Sequence, residues 1–192
     1  MAIYEESGLR FDLPDGAHFR LATTVSYRPL SGQSLKEMDF AWLHEGKLVL
    51  LEVKDFTLTS AALCATDFVP LKDRPNPWRF DELVTKITDT LMMLLAGWGG
   101  TAWGSGLVAE LPVGARVPMS LVLAVGLDMP PALRVHLSAL RTALNARLQG
   151  RLKLLNVQSV ALMDYDLLVS RPTFRPYVSR IAPLASAEPI EN

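Results

Sequence analysis

The strongest polarity pattern in the chain runs from residue 36 to residue 54, where two apolar runs flanked by charges are joined at Glu45-Gly46. Leu48, Val49, Leu50 and Leu51 form an unbroken apolar run, which predicts a central strand covered on both faces. Phe40 to Leu43 precedes the turn and predicts its antiparallel partner. Side chains alternate along a strand, so Glu52 and Lys54 share one face and Val53 points to the other.

The same kind of pattern orders the rest of the chain. Residues 8–13 predict a strand ending at Pro14-Asp15-Gly16, and the β-branched stretch 19–27 predicts another. Residues 57–78 hold Pro70, Pro75 and Pro77 without a clear period and read as a long loop. Leu83, Ile87, Leu91 and Leu94 make an apolar stripe for a helix over 81–98, with Asp81 and Glu82 in its first turn. Glycines and tryptophans at 97–106 read as a flexible loop lacking the spacing of a phosphate cradle. A buried strand at 120–126, a helix over 130–148 and a last strand at 157–165 follow. The expected order is β-β-β-β-α-β-α-β: one α/β domain over residues 1–181, a mixed β-sheet flanked by α-helices, then a disordered tail at 182–192.

The turn turns this pattern into geometry. With His44 opposite Lys47 across a two-residue loop, counting outward puts Asp39 opposite Glu52 and Glu37 opposite Lys54. Cross-strand neighbours have Cβ atoms about 4.5–5.5 Å apart, close enough for two carboxylates to hold one hard cation. Like charges so placed repel, and a divalent cation reverses that repulsion. A solvated hairpin face is the plainer alternative, but the buried strand leading into these charges favours a site.

Asp39 followed by Glu52-Val53-Lys54, on an acidic strand, a tight turn and an apolar strand ahead of an amphipathic helix, resembles the PD-(D/E)xK nuclease superfamily, whose fold is that of restriction endonucleases. Asn76-Pro77-Trp78-Arg79 is similar to the Asn-Pro element of nuclease-related domains, departing at Phe80, where those domains often carry glutamine. The resemblance implies a restriction-endonuclease-like sheet, with Asp39, Glu52 and the Val53 carbonyl as ligands of Mg²⁺ or Mn²⁺ and Lys54 orienting the attacking water. The register makes Glu37 an accessory candidate, and the resemblance adds Lys86, since the helix carrying Lys86 packs near the metal site in that family. By helix spacing, Lys86 is equally in reach of Asp89 and Glu82, and that surface pairing is the plainer reading. Members often carry an acidic residue on an N-terminal helix; here Glu5 and Glu6 are the nearby acids, read as ordinary surface charges.

The implied activity is metal-dependent hydrolysis of phosphodiester bonds in DNA, with RNA as the other polymer such a site accepts. The alternative is an inactive protein of that fold serving as a nucleic-acid-binding or assembly module. With 19 basic and 20 acidic residues among 192, the net charge of −1 lacks the basic excess of a tight duplex binder. Basic residues cluster late instead, with Arg171, Arg175 and Arg180 interleaved with aromatics as nucleic-acid-binding candidates. The 49% apolar content suits a homodimer interface. One cysteine, no apolar leader and no long apolar segment lead to the expectation of a cytoplasmic protein away from membranes. His18, His44 and His136 show no ligand or triad spacing.

Overall fold

The computed structural model describes residues 1–57 and 63–181, so the tail expected at 182–192 and part of the loop expected at 57–78 lie outside the described residues. The charged hairpin is β4 (Phe40–His44) and β5 (Lys47–Asp55), paired antiparallel from His44↔Lys47 to Phe40↔Leu51. Glu45 and Gly46 both take positive φ, 48° and 71°, as the mirror-image turns that suit strand twist require. The turn therefore sets the inferred register as far as Phe40↔Leu51, while the expected pair of Asp39 with Glu52 falls beyond the end of the ladder.

β5 is the middle of a five-stranded sheet of order β3-β4-β5-β6-β7, with β3 at His18–Phe19, β6 at Leu121–Asp128 and β7 at Val160–Asp164. β3, β4 and β5 are antiparallel neighbours, while β5, β6 and β7 are parallel. Leu48 through Val53 are all buried, because the sheet is covered on both faces. On one face Leu48 and Leu50 pack with Leu83, Ile87 and Leu91 of α1 (Trp78–Trp98) and Leu140, Leu144 and Leu148 of α4 (Leu137–Leu154). On the other, Val49, Leu51 and Val53 meet Leu9, Phe11 and Leu13 of a second sheet of order β1-β2-β8. That sheet comprises Ala2–Glu6, Leu9–Leu13 and Val178–Arg180, and α5 (Tyr165–Ser170) lies beside it. The protein is thus mixed α/β, with helices over one face and mostly strands over the other.

Several elements depart from the sequence expectation. The predicted strand 19–27 stops after Phe19 and gives way to single helical turns at Leu21–Thr23 and Arg28–Leu30. Local hydrogen bonds compete with the ladder there: Thr24 Oγ1 donates to Leu21 O (2.8 Å), and the Glu110 carboxylate takes the amides of Val25 and Ser26. The glycine-tryptophan loop contains α2 (Ala102–Glu110), capped by Thr101 Oγ1, which accepts from Gly104 N. Gly104 serves close packing, since a Cβ there would sit 2.0 Å from Ala96 O of α1. Trp98 and Trp103 donate their indole N–H groups to Ala115 O and Ser26 O and are packing residues. The predicted helix 130–148 is a short α3 (Pro131–Arg134) followed by the longer α4, and 157–165 is β7 running straight into α5. Among the described residues no helix is long and apolar enough to cross a membrane.

Candidate active site

The hairpin ladder ends at Phe40, and the cause lies in α1. Lys36 N donates to Asp89 Oδ2 (3.0 Å) and Met38 N to the buried Thr90 Oγ1 (2.8 Å), which draws this segment off β5 and onto the helix. Asp39 sits at the parting point. Its Oδ2 accepts from Val53 N at 2.9 Å, so a side chain stands where the strand partner would have been. The expected placement of Glu37 opposite Lys54 is overturned by the same departure: Glu37 instead accepts the Tyr27 hydroxyl.

Glu52 faces the helix layer at the end of the apolar run and is fully buried. Lys86 of α1 reaches down to it, with Nζ 2.7 Å from Glu52 Oε1 and 3.1 Å from Asp39 Oδ1. Lys54 Nζ lies 3.5 Å from the same Glu52 oxygen and is the most open member of the group, with a third of its side chain exposed. The surface pairing expected for Lys86 is absent, because Lys36 occupies both alternatives, Asp89 through its amide and Glu82 through its ammonium (3.4 Å). Asp39, Glu52, Lys54 and Lys86 thus converge near the carboxyl end of β5, the edge where open α/β sheets bind ligands.

Burial, followed by the neighbouring Asp39 carboxylate, pushes the Glu52 carboxyl up to about 8. Burial alone would lower the Lys86 ammonium, but the Glu52 and Asp39 carboxylates outweigh it and hold Lys86 above its ordinary value. Lys86 therefore keeps its charge, and Glu52 is the group that titrates. Glu52 Oε2 is buried without a hydrogen-bond partner among the described residues, a costly state for a carboxylate oxygen. That orphaned oxygen, beside a second carboxylate, fits a hard divalent cation, which prefers oxygen donors. Among the described residues no group of three or more His, Cys, Asp or Glu side chains converges to hold an ion, so waters and backbone would complete the shell.

Sequence reasoning missed Arg20. Its Nε donates to Asp39 O (3.0 Å), its Nη2 meets Glu6 Oε2 (2.6 Å), and its guanidinium lies 4.6 Å from the Phe40 ring centroid. Glu6, read as a surface charge, thereby helps fix the backbone that carries Asp39. No spacing rule links these residues, since the contact joins β1, the end of β3 and the start of β4. Arg171 and Arg175 are exposed, whereas Arg180 is committed to Asp128 (2.8 Å) and Asp166 (2.9 Å) within the small sheet's edge, which removes it from a free basic cluster. No protein-family model, curated protein or solved structure matches the chain.

Proposed function

We propose that the chain is a metal-dependent nuclease of the PD-(D/E)xK type, with a restriction-endonuclease-like core and nucleic acid, DNA first, as its substrate. The observation that carries this reading is Glu52 Oε2, without a partner among the described residues, buried next to Asp39 and flanked by two lysines. Asp39, Glu52 and the Val53 carbonyl would hold Mg²⁺ or Mn²⁺, which when bound supplies a Lewis acid for phosphodiester hydrolysis. Lys54, the more open lysine, orients the attacking water by hydrogen bonding and offers a compact positive charge to the phosphate. Lys86, 2.7 Å from Glu52 Oε1 and 3.1 Å from Asp39 Oδ1, holds the two carboxylates together and keeps a positive charge at the site.

A second reading rests on the same ammonium. Lys86 already lies between the two carboxylates and neutralises them as a cation would, which suits an inactive fold used for binding or assembly. Mn²⁺ binding followed by electron paramagnetic resonance, alongside plasmid and single-strand cleavage in Mg²⁺ and in EDTA, separates the two. The nuclease reading expects stoichiometric Mn²⁺ and metal-dependent cutting that Glu52→Ala and Lys54→Ala abolish. Undiminished cutting by both variants, or no Mn²⁺ uptake by the wild type, overturns it.

A further inference from the structure

Next to this site an aromatic and cationic cluster remains unused by the chemistry above. Phe56 follows Lys54 by two residues and is tied to the sheet edge by its amide, which donates to Asp128 O at 2.8 Å. Its ring meets Phe68 edge to face, with centroids 4.9 Å apart. Arg79 lays its guanidinium against this pair, 5.5 Å from the Phe68 centroid and 5.7 Å from that of Phe56, and against Trp78 at 4.5 Å. Three rings thus hold one guanidinium, and the outermost, Trp78, is 63% exposed. A large aromatic that far out in water, braced from behind by a planar cation, presents a flat surface left uncovered among the described residues.

A guanidinium charge stands beside that surface. Arg79 Nε is buried without a hydrogen-bond partner among the described residues. Two acids of the surrounding segment have local hydrogen-bond donors, Asp67 from Cys64 N (2.8 Å) and Asp81 from Asn76 Nδ2 (2.9 Å), while Asp73 is exposed. Lys72 and Arg74, both exposed, precede the cluster on the same segment. The position is set by α1, which begins at Trp78 and carries Lys86 two turns on, an axial rise of about 12 Å. The platform and the paired carboxylates therefore lie along one helix and one strand end.

We propose that Trp78 and Arg79 form a stacking platform for an unpaired nucleobase, so that the substrate enters the Asp39 and Glu52 site as a single strand or an unpaired segment of one. This rests on the nuclease reading for its destination, but the binding step stands by itself. A duplex keeps its bases stacked on each other and has no free face to give Trp78, whereas every base of a single strand does. Arg79 adds attraction for the strand's phosphates while its plane supports the ring.

Fluorescence anisotropy of a labelled oligothymidylate, titrated with the full chain in EDTA, tests the platform without catalysis. Base stacking worth about 1–3 kcal/mol corresponds to a roughly 5- to 150-fold loss of affinity in Trp78→Ala, with Trp78→Phe retaining most of it. Because the Trp78 side chain is largely in water, the alanine variant keeps its fold, which circular dichroism verifies. Its affinity for a duplex of equal length stays at the wild-type value. Equal single-strand binding by Trp78→Ala and wild type overturns the proposal, as does a wild type that binds no single strand or a duplex loss equal to the single-strand loss. Cleavage in Mg²⁺ is scored separately: Trp78-dependent binding with no cutting by the wild type refutes the nuclease and leaves the platform, while cutting of single strands undiminished in Trp78→Ala refutes the platform and leaves the nuclease.

Discussion

Replacing Lys86 by methionine removes the ammonium between two buried carboxylates while keeping a flexible side chain of similar reach. In the wild type that ammonium is 2.7 Å from Glu52 and 3.1 Å from Asp39. At an effective dielectric near 20, unit charges about 3 Å apart interact by roughly 5.5 kcal/mol, an upper bound on what each contact contributes. Breaking a buried pair from one side costs about 3–5 kcal/mol, because the remaining charge stays desolvated. Glu52 can escape that cost by holding a proton, and burial has already pushed it up to about 8. Without Lys86 its carboxyl is driven higher still. The sign follows: a carboxyl whose folded value is raised contributes stability that is complete below its ordinary value and is lost as pH rises through the folded one. At pH 5 both proteins carry a neutral Glu52, and the variant loses chiefly the Lys86 contact with Asp39. At pH 9 the wild type keeps an ion pair while the variant must hold a proton on Glu52 or bury an unpaired charge. Urea unfolding at pH values from 5 to 9 should therefore show a difference that is level up to about pH 8 and widens above it by up to about 1.4 kcal/mol per pH unit, reaching about 3–5 kcal/mol at pH 9, or roughly 6–20 °C in Tm for a chain of this size. A difference that is flat with pH, or below about 1 kcal/mol at pH 9, would refute the coupling of Lys86 to a buried Glu52.

Two further outcomes follow from the same geometry. Wild-type stability should fall by about 1.4 kcal/mol per pH unit between the ordinary Glu value of 4.5 and about 8; Glu52→Gln abolishes that contribution, and a variant retaining the full slope in urea unfolding would show that another group titrates. Arg20→Ala removes the donor to Asp39 O and frees Glu6; a second layer of this kind tunes ion affinity by about 10–100-fold, so Mn²⁺ titration should weaken by about that factor with the Glu52-linked pH slope intact, and unchanged affinity would make Arg20 purely structural.

Much of the hairpin was legible because its determinants are local. The period of two in Glu52-Val53-Lys54 requires a shared face for the charged pair, and Glu45-Gly46 suits a turn that sets the register from His44↔Lys47 onward. The apolar run from Leu48 to Leu51 called for cover on both faces, which α1 and the β1-β2-β8 sheet provide. The stripe of α1 was equally readable, since a period near 3.6 is carried by its own residues.

What the tertiary structure decided depends on contacts between segments far apart in the chain. Lys86 lies 34 residues from Glu52 and 47 from Asp39, and helix spacing offered it nearer partners. Only the docking of α1 on the sheet, with Lys36 taking Asp89 and Glu82, turns that side chain inward. The same docking draws Met38 onto Thr90, ends the ladder and leaves Asp39 to cap Val53 N. Arg180, legible as a basic tail residue, became a strand residue paired with Asp128 once β8 joined β2. The sequence by itself determined which groups can stand on one strand face, because alternation is a property of the backbone; packing decided which cation meets them and how deeply they are buried, because desolvation and ion pairing depend on what the rest of the fold lays across them.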